Sequence, residues 1–218
     1  MEIKWYGHAA FRITTQDGTS IIIDPFESGF KDGLLTYGRI DEGADIVITS
    51  HDHGDHGYTK DIPGTYEHVR QEGSFAIKGV TIRTLSTFHD DVQGQRGGRN
   101  LVSVISADGL TLAHLGDLGH SLDAEILKRM GPVDILLLPV GGLYTIDAAT
   151  ATRVMKDIGP AVTIPMHYRT AKCKFPIAGV EEFTRGQTGV DVSKDSVLRI
   201  TKDSLPREPQ IVVLQHAL

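Results

Sequence analysis

His51-Asp52-His53-Gly54-Asp55-His56 is the stretch on which the reading of this chain turns. It follows Asp45-Ile46-Val47-Ile48-Thr49, a continuous apolar run of the kind that forms a strand buried on both faces. Neutral imidazole and carboxylate are donors that divalent transition metals bind well, and the spacing His-x-His-x-Asp-His packs them too densely for an ordinary solvated loop. On an extended or turning backbone His51 and His53 project one way while Asp55 and His56 turn another. That geometry suits two adjacent cations better than one. Gly54 is read as giving the backbone freedom to turn.

Upstream, residues 3–6, 11–14 and 21–24 are short β-branched or aromatic runs separated by turn formers such as Asp17-Gly18. Downstream, strands are predicted over 75–77, 80–86, 101–106 and 111–115, with Asp108-Gly109 as a hairpin turn. The second half alternates strand and helix. Ser121 is placed to cap a helix running to Met130, with Leu122, Ile126 and Met130 on one face and Gly131-Pro132 as its stop. Residues 133–140 read as a second fully apolar strand and 146–158 as a helix ended by Gly159-Pro160. A further buried strand over 161–166, a short helix over 179–185 and closing strands over 196–200 and 211–215 complete the pattern. No linker, repeat or low-complexity tract interrupts it, so one domain over residues 1–218 is expected.

Three more metal-ligating side chains stand at or just past predicted strand ends: His89, Asp117 and His167. A lone histidine after a strand is more often structural. Three candidates in register with a dense primary motif reverse those odds.

The hexapeptide, Thr87-Phe88-His89-Asp90, His114-Leu115-Gly116-Asp117 and Pro165-Met166-His167-Tyr168 together resemble the ordered ligand motifs of the metallo-β-lactamase superfamily. Trp5-Tyr6-Gly7-His8-Ala9 and Pro139-Val140-Gly141-Gly142 are similar to a branch of metal-dependent hydrolases related to ascorbate-6-phosphate lactonase. The resemblance implies an α/β fold, a four-layer αββα sandwich with the metals at one edge between the sheets. It implies His51, His53 and His89 on a first metal, Asp55, His56 and His167 on a second, and Asp117 bridging both. His8 resembles a position near the site, behind the ligands or against substrate.

Such a centre lowers the pKa of bound water toward ~7, so a metal-bridged hydroxide attacks a polarised carbonyl or phosphoryl group. Asp55 and Asp117 are the catalytic carboxylates, with Asp55 also placed to orient the hydroxide or pass a proton to the leaving group. The expected activity is hydrolysis of a small, anionic ester, lactone or phosphoester. Zinc suits the histidine-rich site best; manganese, iron and nickel fit the mixed donors too. Arg99 and Arg169 are candidate forks for a substrate carboxylate or phosphate. His114, by strand alternation, faces away from Asp117. His120 is close enough in sequence to reach the pocket mouth, His68 and His216 read as surface residues, and Cys173 as an inert thiol.

Two other functions compete. One is a nuclease-type phosphodiesterase of the same superfamily, the other a metal-binding protein without turnover. A net charge of −6 with no basic cluster argues against nucleic acid as partner. The full ligand set argues against a silent metal binder. A flavin-linked diiron enzyme is disfavoured because His53 stands where that branch has glutamate. The lone cysteine excludes an intrachain disulfide, and no apolar stretch is long enough to span a membrane. Without a signal-peptide pattern at Met1 the expectation is a cytoplasmic enzyme with a small-molecule substrate, compatible with a homo-oligomer.

Overall fold

In the computed structural model, which describes residues 1–218, the β-branched runs pair into two sheets. β1 (Glu2–Gly7), β2 (Ala10–Thr14) and β3 (Ser20–Ile23) form an antiparallel meander, and β4 (Ile46–Ile48) and β5 (Glu67–Val69) extend it in parallel. β6 (Gly73–Ile77), β7 (Val80–Phe88), β8 (Arg99–Ala107) and β9 (Leu110–His114) are antiparallel neighbours in the second sheet. β10 (Ile135–Pro139) and β11 (Val162–Met166) continue from β9 in parallel. β12 (Val190–Val192) and β14 (Gln210–Val213) finish that sheet, while β13 (Val197–Arg199) returns to pair with β1. The orders are β13-β1-β2-β3-β4-β5 and β12-β14-β11-β10-β9-β8-β7-β6.

Period-2 alternation divides the apolar residues between layers. Ile3, Trp5, Phe11, Ile13, Ile21, Ile23, Ile46 and Ile48 face a core of 43 buried residues between the sheets. Tyr6, Ala10, Ile22 and Val47 face the other way, into a separate cluster with Phe26, Leu35, Tyr37 and Phe175. Burying a Val or Ile side chain stabilises by roughly 1.5–3 kcal/mol, so both faces of this sheet contribute.

The expected sandwich is present, with its outer layers unequal. α2 (Ala124–Met130), α3 (Ala148–Ile158) and α4 (Val180–Thr184) lie on the side of the second sheet, and Met130, Ala151 and Val154 join its core. The outer face of the first sheet is covered instead by loop segments and the single turn α1 (Phe30–Gly33).

Ser121 does not cap α2. Asp123 does, its Oδ1 accepting the Ile126 N–H at 2.8 Å. Asp147 caps α3 through the Thr150 N–H, so that helix begins after Ile146. A carboxylate is favoured at this position because it also faces the positive end of the helix dipole. No helix is long and apolar enough to cross a membrane.

Strand direction fixes where the site forms. β1 and β3 run alike, being separated by antiparallel β2, and β4 is parallel to β3. In the second sheet β7, β9, β10 and β11 run alike for the same reason. The carboxyl ends of each set therefore lie along one edge of their sheet. Every residue singled out as a ligand lies at or beyond one of those ends.

Candidate metal centre

His8 follows β1, the hexapeptide follows β4, His89 directly follows β7, Asp117 lies beyond β9 and His167 directly follows β11. Of the other six residues of the expected ligand set, His51, His56, His89 and His167 lie within 4 Å of the carboxylate of Asp117, which is 2% exposed. Its Oδ2 is 2.9 Å from His89 Nε2, 3.1 Å from His56 Nε2 and 3.8 Å from His51 Nε2. Its Oδ1 is 3.3 Å from His167 Nε2. His53 Nδ1 lies 3.0 Å from His51 Nε2, and Asp55 Oδ2 lies 4.0 Å from His56 Nε2. Three groupings result, His51-His53-His89, His51-His56-Asp117 and His8-Asp55-His56-His167, each with its ligand atoms within 4.8 Å of one another.

Asp24, at the end of β3, was not anticipated from the sequence. It is fully buried, and its Oδ1 accepts the Ser50 N–H at 2.7 Å. Its Oδ2 accepts the Ser50 hydroxyl at 2.6 Å and the His56 Nδ1–H at 2.9 Å. With its proton committed to Asp24, Ser50 Oγ accepts from His51 Nδ1–H at 2.9 Å. One carboxylate thus fixes the tautomer of two imidazoles and leaves both Nε2 lone pairs facing the centre. His8, Asp24 and His167 all turn through left-handed backbone, at φ of 52°, 46° and 51°. Such conformations are unfavourable away from glycine and persist where the surroundings over-determine them. Here the His167 N–H donates to the His8 carbonyl, and their rings lie 4.0 Å apart. Asn100 Oδ1 accepts the Asp117 N–H at 2.9 Å while its amide donates to Leu115 O and Thr87 Oγ1. A Cβ on Gly116 would lie 2.3 Å from that same Oδ1, so only glycine lets the Asp117 turn close.

The donors suit divalent ions on chemical grounds. His56 Nε2 and Asp117 Oδ1 are buried without a hydrogen-bond partner, as are His8 Nε2 and His167 Nδ1. With Nδ1–H given to Asp24, His56 Nε2 points a lone pair at an Asp117 carboxylate oxygen. Two acceptors facing each other in a buried site are stable only across a shared cation or proton. Burial pushes the His51 imidazole down to about 3 and that of His8 down to about 4, so both remain neutral donors. Burial opposes charge on His56 too, but Asp117, Asp24 and Asp55 outweigh it and raise its pKa. Asp55 and Asp117 are held below the usual carboxylate range against their burial, by His8 and His56 and by His167 and His56 respectively. Buried carboxylates that stay ionised need positive charge beside them.

A cavity of about 910 Å³ opens above this cluster, its lining including Lys31, Arg96, Leu143, Tyr144 and Phe175. Its wall beyond β7 is organised by Asp90, whose carboxylate accepts the backbone N–H groups of Val92, Gly94, Arg96 and Gly97. Burial pushes the Asp90 carboxyl up, yet those donors hold it at about 2. Gly119 lies so close that a Cβ there would be 2.2 Å from the Asp90 nitrogen. Gly54 differs from its sequence reading, since its φ is not left-handed. It supplies space: a Cβ would sit 2.4 Å from the Phe30 ring, which rests on the hexapeptide loop.

Arg99 and Arg169 do not line this cavity; Arg96 and Lys31 are the cations that do. Arg99 instead lines a second groove with Arg70, on the other side of His51 and His53. Arg169 is exposed and its N–H donates to Ala178 O. His8 stands against Asp55, Nε2 to Oδ2 at 3.5 Å. His114 is buried, donating Nε2–H to Ala9 O and accepting the Gly116 N–H at Nδ1. His120 does reach the cavity wall, but both ring nitrogens are taken, by Ser121 O and the Phe88 N–H. His68 is exposed against Thr49, whereas His216 is half-buried, edge-on to Tyr37 and Trp5. Cys173 is buried beneath His8, and burial raises its thiol to about 11.

Comparison with known proteins places this geometry among relatives. A family model described as a beta-lactamase superfamily domain matches residues 2–167. The chain is 30% identical over 225 aligned positions to a UPF0173 metal-dependent hydrolase of Methanopyrus kandleri, covering 88% of this chain and 94% of that one. It is 32% identical over 197 positions to a UPF0173 metal-dependent hydrolase of Carboxydothermus hydrogenoformans, covering 78% and 85%. A crystal structure from Thermotoga maritima, described as a candidate zinc-dependent hydrolase of the metallo-β-lactamase superfamily, superposes with a TM-score of 0.81. The two share 31% identity, with 98% of this chain and 97% of that one covered.

Proposed function

The chain belongs to the metallo-β-lactamase superfamily and, within it, to the UPF0173 metal-dependent hydrolases, and on that premise we propose that it hydrolyses a small, anionic ester, lactone or phosphoester at a pair of divalent ions. His51, His53 and His89 would hold the first ion, Asp55, His56 and His167 the second, with Asp117 shared between them. The observation that carries this reading is the Asp117 carboxylate, buried, with Oδ2 toward His89 and His56 and Oδ1 toward His167. When bound, such a pair lowers the pKa of a water it holds toward ~7 and polarises the carbonyl or phosphoryl group under attack.

The chain's own residues do the rest. Asp24 and Ser50 keep His51 and His56 in the tautomers that present Nε2. Asp55 is the one ligand carboxylate whose partner is His8, and it is partly open to the cavity. It is therefore placed to accept the proton released on attack and return it to the leaving group. His8 Nε2 stands 3.5 Å from Asp55 Oδ2 and helps to keep that carboxylate ionised. Arg96 and Lys31 supply positive charge to an anionic substrate from the cavity wall. Arg99 does so only for a substrate that extends round His53 into the second groove.

Zinc is the first choice for the histidine-rich donors, and nitrogen with carboxylate also admits manganese, iron or nickel. Metal analysis of the purified protein should give two ions per chain. Chelation should abolish hydrolysis across a panel of lactones, carboxylic esters, phosphoesters and thioesters, and one particular ion should restore it. A protein that hydrolyses part of the panel unchanged after complete metal removal would refute the proposal.

A further inference from the structure

At the mouth of the same cavity, the Lys31 ammonium lies 5.5 Å from the centre of the Phe30 ring, 5.6 Å from Phe175 and 5.9 Å from Tyr144. Tyr144 meets Phe175 edge-on at 5.9 Å. Leu143 and Tyr144 are 68% and 41% exposed, and the other large exposed hydrophobic side chain, Val192, lies on β12 at the far margin of the sheet. Apolar side chains held open to solvent beside a polar catalytic floor are unfavourable unless something packs on them.

The backbone supports the same reading. Lys31, Asp32 and Leu143 take left-handed φ of 48°, 56° and 61°. Strained non-glycine residues thus occur on both sides of the mouth. Phe30 is anchored by its seat on Gly54, within the hexapeptide, so the aromatic wall is tied in position to the ligands. The ammonium is held against ring faces, which leaves its charge available to an anion entering from the cavity.

We propose that Phe30, Tyr144, Phe175 and Leu143 form a subsite for a planar ring on the substrate, and that Lys31 pairs with a negative charge next to that ring. The inference rests on the hydrolase reading above and narrows its substrate class to anionic esters bearing an aryl or similarly flat group. The ring packs on the aromatic wall, Lys31 neutralises the adjacent charge, and the scissile bond is carried down toward Asp55.

Calorimetric titration of the metal-loaded protein with phenylphosphonate and methylphosphonate separates the two contributions. The ring should tighten binding about 10-fold or more over methylphosphonate. Tyr144→Ala should remove most of that preference while leaving methylphosphonate within about 2-fold, and Lys31→Met should weaken both phosphonates by about 5-fold or more. Both side chains are exposed, so each variant should keep the wild-type melting temperature. Equal affinity for the two phosphonates, or a preference that survives Tyr144→Ala, would overturn the subsite. Tighter binding of benzyltrimethylammonium, rising in Lys31→Met, would also overturn it by showing that the rings receive a cation. These outcomes are independent of turnover: a ring preference without hydrolysis anywhere in the panel sinks the reaction and leaves the subsite standing.

Discussion

The floor of the cavity and its mouth are built on opposite plans. On the floor nearly every side chain is tied by another: Asp24 holds His51 through Ser50 and His56 directly, Asn100 holds Asp117, and His8 stands against Asp55. At the mouth Lys31, Leu143 and Tyr144 are exposed and sit on strained turns. A reaction centre must hold its donors within fractions of an ångström, whereas a recognition surface must admit and release its ligand. On the proposed function, the chemistry is pinned by carboxylates and the selectivity is left to loops.

The sharpest way to break this contrast is Asp55→Asn. It removes the proposed proton carrier from the floor with almost no change in shape. Turnover should fall by ~10³-fold or more while the melting temperature stays close to wild type. A mutant that keeps both metals and wild-type rates would end the proposed role. Next comes Asp24→Asn, which touches no substrate. Loss of an outer carboxylate typically costs ~10–100-fold in metal affinity, and competition with a coloured chelator should show that range. An unchanged affinity would mean that the His51 and His56 orientations are set elsewhere.

Asp90→Ala tests how far the pinning extends into the wall. It strips four backbone donors of their acceptor, which should destabilise by roughly 1–3 kcal/mol and speed amide exchange selectively at Val92, Gly94, Arg96 and Gly97. Exchange that stays slow at those amides would show that the loop is held by other contacts. The smallest effect is expected at the boundary between the two plans. Gly54→Ala must displace the Phe30 ring, so KM should rise by roughly 3-fold to 10-fold with metal content unchanged. A change in metal stoichiometry instead would place Phe30 with the floor.

The floor was largely legible in the sequence because its donors are dense and follow apolar runs. Three strands buried along their whole length, Ile46–Ile48, Ile135–Pro139 and Val162–Met166, are unmistakable. Asp24 is not distinguished in the sequence because it reads as the last residue of the strand-like run 21–24, with no histidine beside it. The usable signal was its place beyond Ile21-Ile22-Ile23, on the same edge as the ligands. β5 and β12 are three-residue strands, each with two adjacent exposed positions, and carry no periodicity to detect. Ser121 and Asp123 both precede the same helix, and only the geometry of the Ile126 N–H distinguishes them. Arginines chosen by closeness in sequence to His89 and His167 fell outside the main cavity, because strand direction governs the ligands but not the loops after them. Lys31 and Leu143 lie in segments where no pattern exists to read.

The hydrogen bond from His167 to the His8 carbonyl stitches the first strand of one sheet to a central strand of the other. Contacts of such high sequence separation form late, because a long loop must close before they are rewarded. The hexapeptide emerges early during synthesis but can bind only weakly by itself. If His167 holds the second ion as proposed, full occupancy would wait until the chain has been made past His167 and has returned to its beginning. On the proposed ligand set, metal capture would follow the closing of this contact, and a tightly held ion would mark a chain that has finished folding.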